Sequence, residues 1–121
     1  MTRILYVDDE PDIREIAEMA LSLDPAFEVR TAASGEAALA VLADWRADVA
    51  LLDVMMPGMD GPTLLGHIRK MPTLARLPVI FITARAQQSE LQTFATLDAI
   101  GVIAKPFDPV TLAARVRALI P

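Results

Sequence analysis

The sequence predicts an α/β domain, a doubly wound five-stranded parallel sheet in the order 2-1-3-4-5 with helices on both faces. Three observations point there. Val49-Ala50-Leu51-Leu52 is an unbroken apolar run ending on Asp53, the pattern of a strand buried on both sides. Leu77 to Ile82 is a second such run, ending on Thr83-Ala84. Strand-like and helix-like stretches alternate five times, and short right-handed connections then make the strands parallel.

In chain order, Ile4 to Val7 is a short buried strand that runs into Asp8-Asp9-Glu10. Pro11 suits a first helical turn, and Ile13, Ile16, Ala17, Ala20 and Leu21 recur at helical spacing until Asp24-Pro25 stops the helix. Phe27 to Thr31 alternates apolar and polar, as an edge strand with one wet face does. Ser34 is placed to cap a second helix running to about Trp45. After the central strand and the Pro57-Gly58 turn, Asp60 can cap a third helix whose Leu64, Leu65 and Ile68 face inward. A weaker helix carries Leu91, Phe94 and Ala95. Gly101 to Ala104 is a short last strand, and Asp108-Pro109 opens a final helix with Leu112, Val116, Leu119 and Ile120 inward.

One domain over residues 1–121 accounts for the whole pattern, with no linker and no low-complexity stretch. A net charge of −5 argues against direct nucleic-acid binding, which needs a basic face. The absence of cysteine excludes disulfides and thiolate metal sites. The N-terminal apolar run is too short for a signal peptide and no run could span a bilayer, so a cytoplasmic location is expected. His67, alone and mid-helix, makes no histidine metal site; Met19, Met55, Met56, Met59 and Met71 read as gap-fillers or turn residues. Trp45 reads as a shield for a helix end, and Phe107 as packing.

The chemistry gathers at the strand ends: Asp8 and Asp9, Asp53, Thr83 and Lys105. In this strand order the first and third strands are neighbours at the switch point, so three carboxylates meet at one mouth of the sheet. Unneutralised, they repel one another. A hard divalent cation relieves that repulsion, and oxygen ligands with room for water favour Mg2+. An ammonium and a hydroxyl beside such a site suit the oxygens of a phosphoryl group, with Asp53 as the nucleophile that carries it.

These residues resemble the receiver domain of bacterial two-component response regulators. The resemblance rests on Val7-Asp8-Asp9-Glu10, Leu52 to Gly61, Ile82-Thr83-Ala84 and Ala104-Lys105-Pro106-Phe107, and it extends over the whole chain. It implies a flavodoxin-like three-layer (βα)5 fold. It also implies that Asp53 accepts phosphate from a sensor histidine kinase or histidine phosphotransfer protein. Mg2+ would be held by Asp8, Asp9, Asp53 and the backbone carbonyl of Met55, with Asp9 the more direct ligand. Thr83, followed by Ala84, and Lys105 would each bind a phosphoryl oxygen, and Lys105-Pro106 would be cis. Phosphorylation would bias the face made by the fourth helix, fifth strand and last helix toward a downstream partner, as a monomer or a phosphorylation-dependent dimer. Such a chain is a phosphoacceptor switch, not an enzyme acting on other substrates.

Departures from the family pattern carry expectations of their own. Val102 stands where members usually have an aromatic that turns on phosphorylation. Asp98 replaces a Gly at the end of the fourth helix, which Asp tolerates because it enters left-handed geometry more readily than most residues. Met55 and Arg85 stand at positions that in this family border the path of attacking water, and neither has a carboxylate or amide to hold it, so hydrolysis of the acyl phosphate is expected to be slow. Met1 and the stop after the fifth helix favour a stand-alone regulator over a receiver cut from a DNA-binding or enzymatic one. An aspartyl-phosphate phosphohydrolase of the haloacid dehalogenase kind would need an acid at Met55 and a lid for which there is no room. A vestigial interaction module would not need the full set of acids and lysine.

Overall fold

The structure, a computed structural model, describes residues 1–84 and 98–121. Its sheet has five parallel strands in the order β2-β1-β3-β4-β5: β1 (Thr2–Val7), β2 (Phe27–Ala32), β3 (Val49–Asp53), β4 (Val79–Thr83) and β5 (Gly101–Ala104). The predicted doubly wound order is the observed one. The helices are α1 (Pro11–Leu21), α2 (Gly35–Asp44), α3 (Gly61–Lys70) and the C-terminal α4 (Leu112–Leu119), and a short 3-10 turn, Pro72–Leu74, lies between α3 and β4.

Side-chain alternation along the three central strands divides the core in two. Ile4, Tyr6, Val49, Leu51, Ile80 and Ile82 pack with Ala17, Leu21, Leu112 and Val116 of α1 and α4. Leu5, Val7, Ala50, Leu52, Val79 and Phe81 pack on the other face with Leu42, Leu64 and Ile68 of α2 and α3. β1, β3 and β4 therefore need apolar residues at nearly every position, which is why they read as continuous runs. β2 is an edge strand with Arg30 exposed and Phe27 buried. Ser34 accepts the Ala37 N–H at 3.1 Å and Asp60 the Thr63 N–H at 2.8 Å, so both expected caps form.

Several boundaries and burials differ from expectation. α1 ends at Leu21, ahead of Asp24-Pro25, because the Ser22, Leu23 and Asp24 amides turn back onto the carbonyls of Glu18, Ala20 and Leu21. β4 begins at Val79, since the Leu77 amide closes a turn onto Leu74. The last helix starts at Leu112, because the Asp108 carboxylate takes the Val110 amide in a local turn. Ile16 is 41% exposed, about a quarter turn off the stripe of Ile13, Ala17, Ala20 and Leu21. Met19, at 66% exposed, fills no gap. The helix expected around Leu91, Phe94 and Ala95, and Arg85, lie outside the described residues. Asp98 has φ +66°, the left-handed geometry expected there.

Candidate functional site

Asp53 closes β3 and is 3% exposed; Asp8 follows β1 and is fully buried. The Val7–Leu52 register of neighbouring strands sets them side by side. The loop after Asp53 is held close: the Met55 N–H donates to Asp53 Oδ1 at 3.2 Å, and the Gly61 N–H donates to the Val54 carbonyl at 3.1 Å. A Cβ on Gly61 would sit 2.6 Å from the Asp53 carbonyl oxygen, so only glycine lets α3 start this near the strand end. Gly58, with φ +76°, makes the preceding turn.

Lys105 leaves the end of β5 and reaches across the mouth of the sheet. Its ammonium lies 2.8 Å from Asp8 Oδ2, 3.3 Å from Asp53 Oδ2 and 3.6 Å from Glu10 Oε1. The Lys105 N–H donates to the Thr83 carbonyl at 2.8 Å, and Lys105-Pro106 is cis. Thr83, buried, ends β4 one residue past Ile82, the register partner of Asp53. Ala84 is exposed beside it. The carboxylates of Asp8, Asp9, Glu10 and Asp53 each offer an oxygen, and these lie within 4.8 Å of one another.

The electrostatics follow from that crowding. Burial, and then the charge of Asp8, push the Asp53 carboxyl up to about 6; Lys105 and the Met55 amide pull against them. Burial alone would lower the Lys105 ammonium, but the hydrogen bonds and charges of Asp8 and Asp53 outweigh it and the net shift is upward. One ammonium thus faces several acids and leaves negative charge uncompensated. The donor set is all hard oxygen, and Asp9 is half-buried and Glu10 exposed, leaving an open side for water. A divalent oxygen-seeking cation such as Mg2+ fits this chemistry.

The residues expected at the site thus fall together at one end of the sheet, with two exceptions. Val102 is half-buried and packs on the α2–α3 side of the core. Arg85 is not among the described residues. His67 is exposed, and Trp45 is buried with its Nε1–H on Glu28 at 3.0 Å. Three further residues enter unannounced. Glu10 pairs with Lys105, Arg14 Nη1 donates to the Asp8 carbonyl at 2.9 Å, and the Tyr6 hydroxyl donates to Asp8 Oδ2 at 3.0 Å. The signal for Tyr6 was its place two residues before Asp8, on the same face of β1. Beside the acids, a cleft of about 260 Å³ is lined by Glu10, Ile13, Ile16, Ala84, Pro106 and Phe107, among others.

Fold and site together define a doubly wound domain with an acidic, lysine-braced pocket at the carboxyl ends of its strands. The chain belongs to the response regulator receiver domain family, whose pattern it matches over residues 4–117. It is 39% identical over 119 residues to the transcriptional regulatory protein CseB of Streptomyces avermitilis, a match covering 98% of this chain and 49% of that protein. It is 42% identical over 118 residues to the response regulator PleD of Caulobacter vibrioides, covering 97% of this chain and 26% of PleD. The chain thus spans about half the length of relatives such as CseB, and about a quarter of PleD. Among solved structures, the chemotaxis protein CheY4 of Vibrio cholerae superposes with a TM-score of 0.90 at 33% identity, covering 98% of both chains. Among the described residues no helix is long and apolar enough to cross a membrane.

Proposed function

We propose that this receiver domain accepts a phosphoryl group on Asp53 from a phosphohistidine of a sensor kinase or phosphotransfer protein, with Mg2+ required, and acts as a phosphorylation-driven switch. The observation that carries this reading is the buried Asp53 carboxylate, braced by Lys105 and flanked by Asp8, Asp9 and Glu10 at the switch point of the sheet.

An Asp53 carboxylate oxygen attacks phosphorus as the P–N bond to the donor imidazole breaks. The imidazole nitrogen leaves with the bonding pair and takes a proton from solvent. Asp8, Asp9, Asp53 and the Met55 carbonyl would hold the cation, with Asp9 the more direct ligand. When bound, Mg2+ supplies neutralisation of the acids and of the phosphoryl oxygens. Lys105, within hydrogen-bond reach of Asp53, transfers its contact to one phosphoryl oxygen, and the Thr83 hydroxyl takes another. The apolar cleft between the start of α1 and the Pro106-Phe107 segment borders the approach to Asp53 and gives a donor protein a surface to rest on.

With the lysine drawn to the phosphoryl group, the β5–α4 side that carries it shifts, and this changes affinity for a downstream protein. Val102 supplies no aromatic to turn, so the shift passes through backbone and packing. Incubation with Mg2+ and acetyl phosphate tests the reading. A one-phosphoryl mass increase is expected, lost with a chelator and in Asp53→Asn; continual release of phosphate without an adduct would instead mark a hydrolase.

A further inference from the structure

Tyr6 is fully buried, and its neighbours in β1, Ile4, Leu5 and Val7, are aliphatic and equally buried. Packing alone asks only for a ring here: the Tyr6 ring meets Phe107 edge-on at 6.5 Å. The hydroxyl is a separate matter, because a buried phenol costs stability unless it finds an acceptor. Its acceptor is Asp8 Oδ2, the same oxygen that holds the Lys105 ammonium. Asp8 Oδ1 accepts the Glu10 amide at 3.0 Å.

A carboxylate oxygen offers about two acceptor positions. Tyr6 and Lys105 fill both on Oδ2, and the Glu10 amide fills one on Oδ1. Asp8 therefore keeps one open position, on Oδ1, and its plane is fixed by donors on either side of it in the chain and by Lys105 from the end of β5. We propose that the Tyr6 hydroxyl is a positioning group for the cation side of this site, holding Asp8 so that its remaining acceptor position is presented to the bound Mg2+. This rests on the reading of the pocket as an Mg2+ site. Without the hydroxyl, Asp8 is free to turn about its Cβ–Cγ bond and to offer both oxygens to Lys105, at the expense of the cation. Partners that orient a metal-binding carboxylate typically contribute about 10- to 100-fold in affinity.

The test is calorimetric titration of the intact chain with Mg2+, for wild type, Tyr6→Phe and Phe107→Leu, beside thermal unfolding without metal. Tyr6→Phe keeps the ring and removes only the hydroxyl; Phe107→Leu disturbs the ring contact and leaves the hydroxyl. The expected result is a dissociation constant raised about tenfold in Tyr6→Phe and changed less than about twofold in Phe107→Leu, whichever variant melts lower. Equal Mg2+ affinity in Tyr6→Phe and wild type would overturn the proposal and leave the Mg2+ site standing. Should Tyr6→Phe not fold, the wild type decides. Tyr6 is the sole tyrosine, so ring-labelled protein gives one phenol-carbon resonance. That resonance moves with Mg2+ if the proposal holds and stays still if it does not. A wild-type chain that binds no Mg2+ at all would overturn the underlying reading itself.

Discussion

Lys105 and Asp53, 52 residues apart in the chain, meet at 3.3 Å across the mouth of the sheet. The ammonium lies nearer Asp8, at 2.8 Å, so a single cation holds two buried carboxylates that would otherwise confront each other. Removing it exposes that conflict. In Lys105→Met at pH 7.5 without metal, the loss is about 3 kcal/mol, the usual result of stripping one partner from a buried pair. Chemical denaturation measures it. Added Mg2+ restores more stability to the variant than to the wild type.

Asp53 itself makes stability fall as pH rises. Its carboxyl is pushed up to about 6 by burial and by Asp8, against an ordinary 3.8, so between those values the folded chain holds a proton that the unfolded chain has released. The contribution is fully present below about pH 4 and is lost as pH rises through about 6, a change on the order of 3 kcal/mol. Asp53→Asn removes this slope. Without metal at pH 7.5 the variant is expected to melt several degrees above wild type, with the gap narrowing at pH 5. Thermal unfolding at the two pH values checks it.

Two glycines of α3 are expected to respond in opposite directions. A methyl at Gly61 would press on the Asp53 carbonyl and the Val54 Cα, both backbone, so Gly61→Ala costs about 1–3 kcal/mol and displaces the acceptor carboxylate. A methyl at Gly66 meets nothing within 4 Å on the same helix. Gly66→Ala therefore stabilises by about 0.5–1 kcal/mol and leaves phosphorylation unchanged. Paired unfolding curves and adduct yields distinguish the two effects.

Met55 is the residue expected to set how long an acyl phosphate on Asp53 lasts. Its side chain is 53% exposed beside Asp53 and has no group to orient a water molecule. Hydrolysis is expected to be slow, and Met55→Asn to speed phosphate release by roughly tenfold, about 1.4 kcal/mol of barrier. Timed loss of the adduct measures this; an unchanged lifetime would remove Met55 as the cause.

The sheet was legible because β1, β3 and β4 are buried on both faces, which forces uninterrupted runs such as Val49 to Leu52. Asp8, Asp53 and Thr83 were legible because each sits at the end of such a run, and Lys105 because Pro106-Phe107 follows it at the end of the shorter β5. Helix ends were less so: Asp108 spends its carboxylate on the Val110 amide, a local choice that delays α4 to Leu112 and leaves no mark in the periodicity. Tyr6 and Arg14 were missed for a related reason. Their roles depend on where one hydroxyl and one guanidinium point, and in sequence they pass for strand filler and a solvated helix charge.

The most direct test locates the phosphoryl group. Borohydride reduction of the Mg2+–acetyl phosphate product converts an acyl phosphate on aspartate to homoserine, and peptide mass mapping then names the residue. Homoserine at position 53 alone, absent without Mg2+, is the predicted result. Homoserine at 8 or 9 instead, or at no position while an adduct mass is present, would contradict Asp53 as the acceptor.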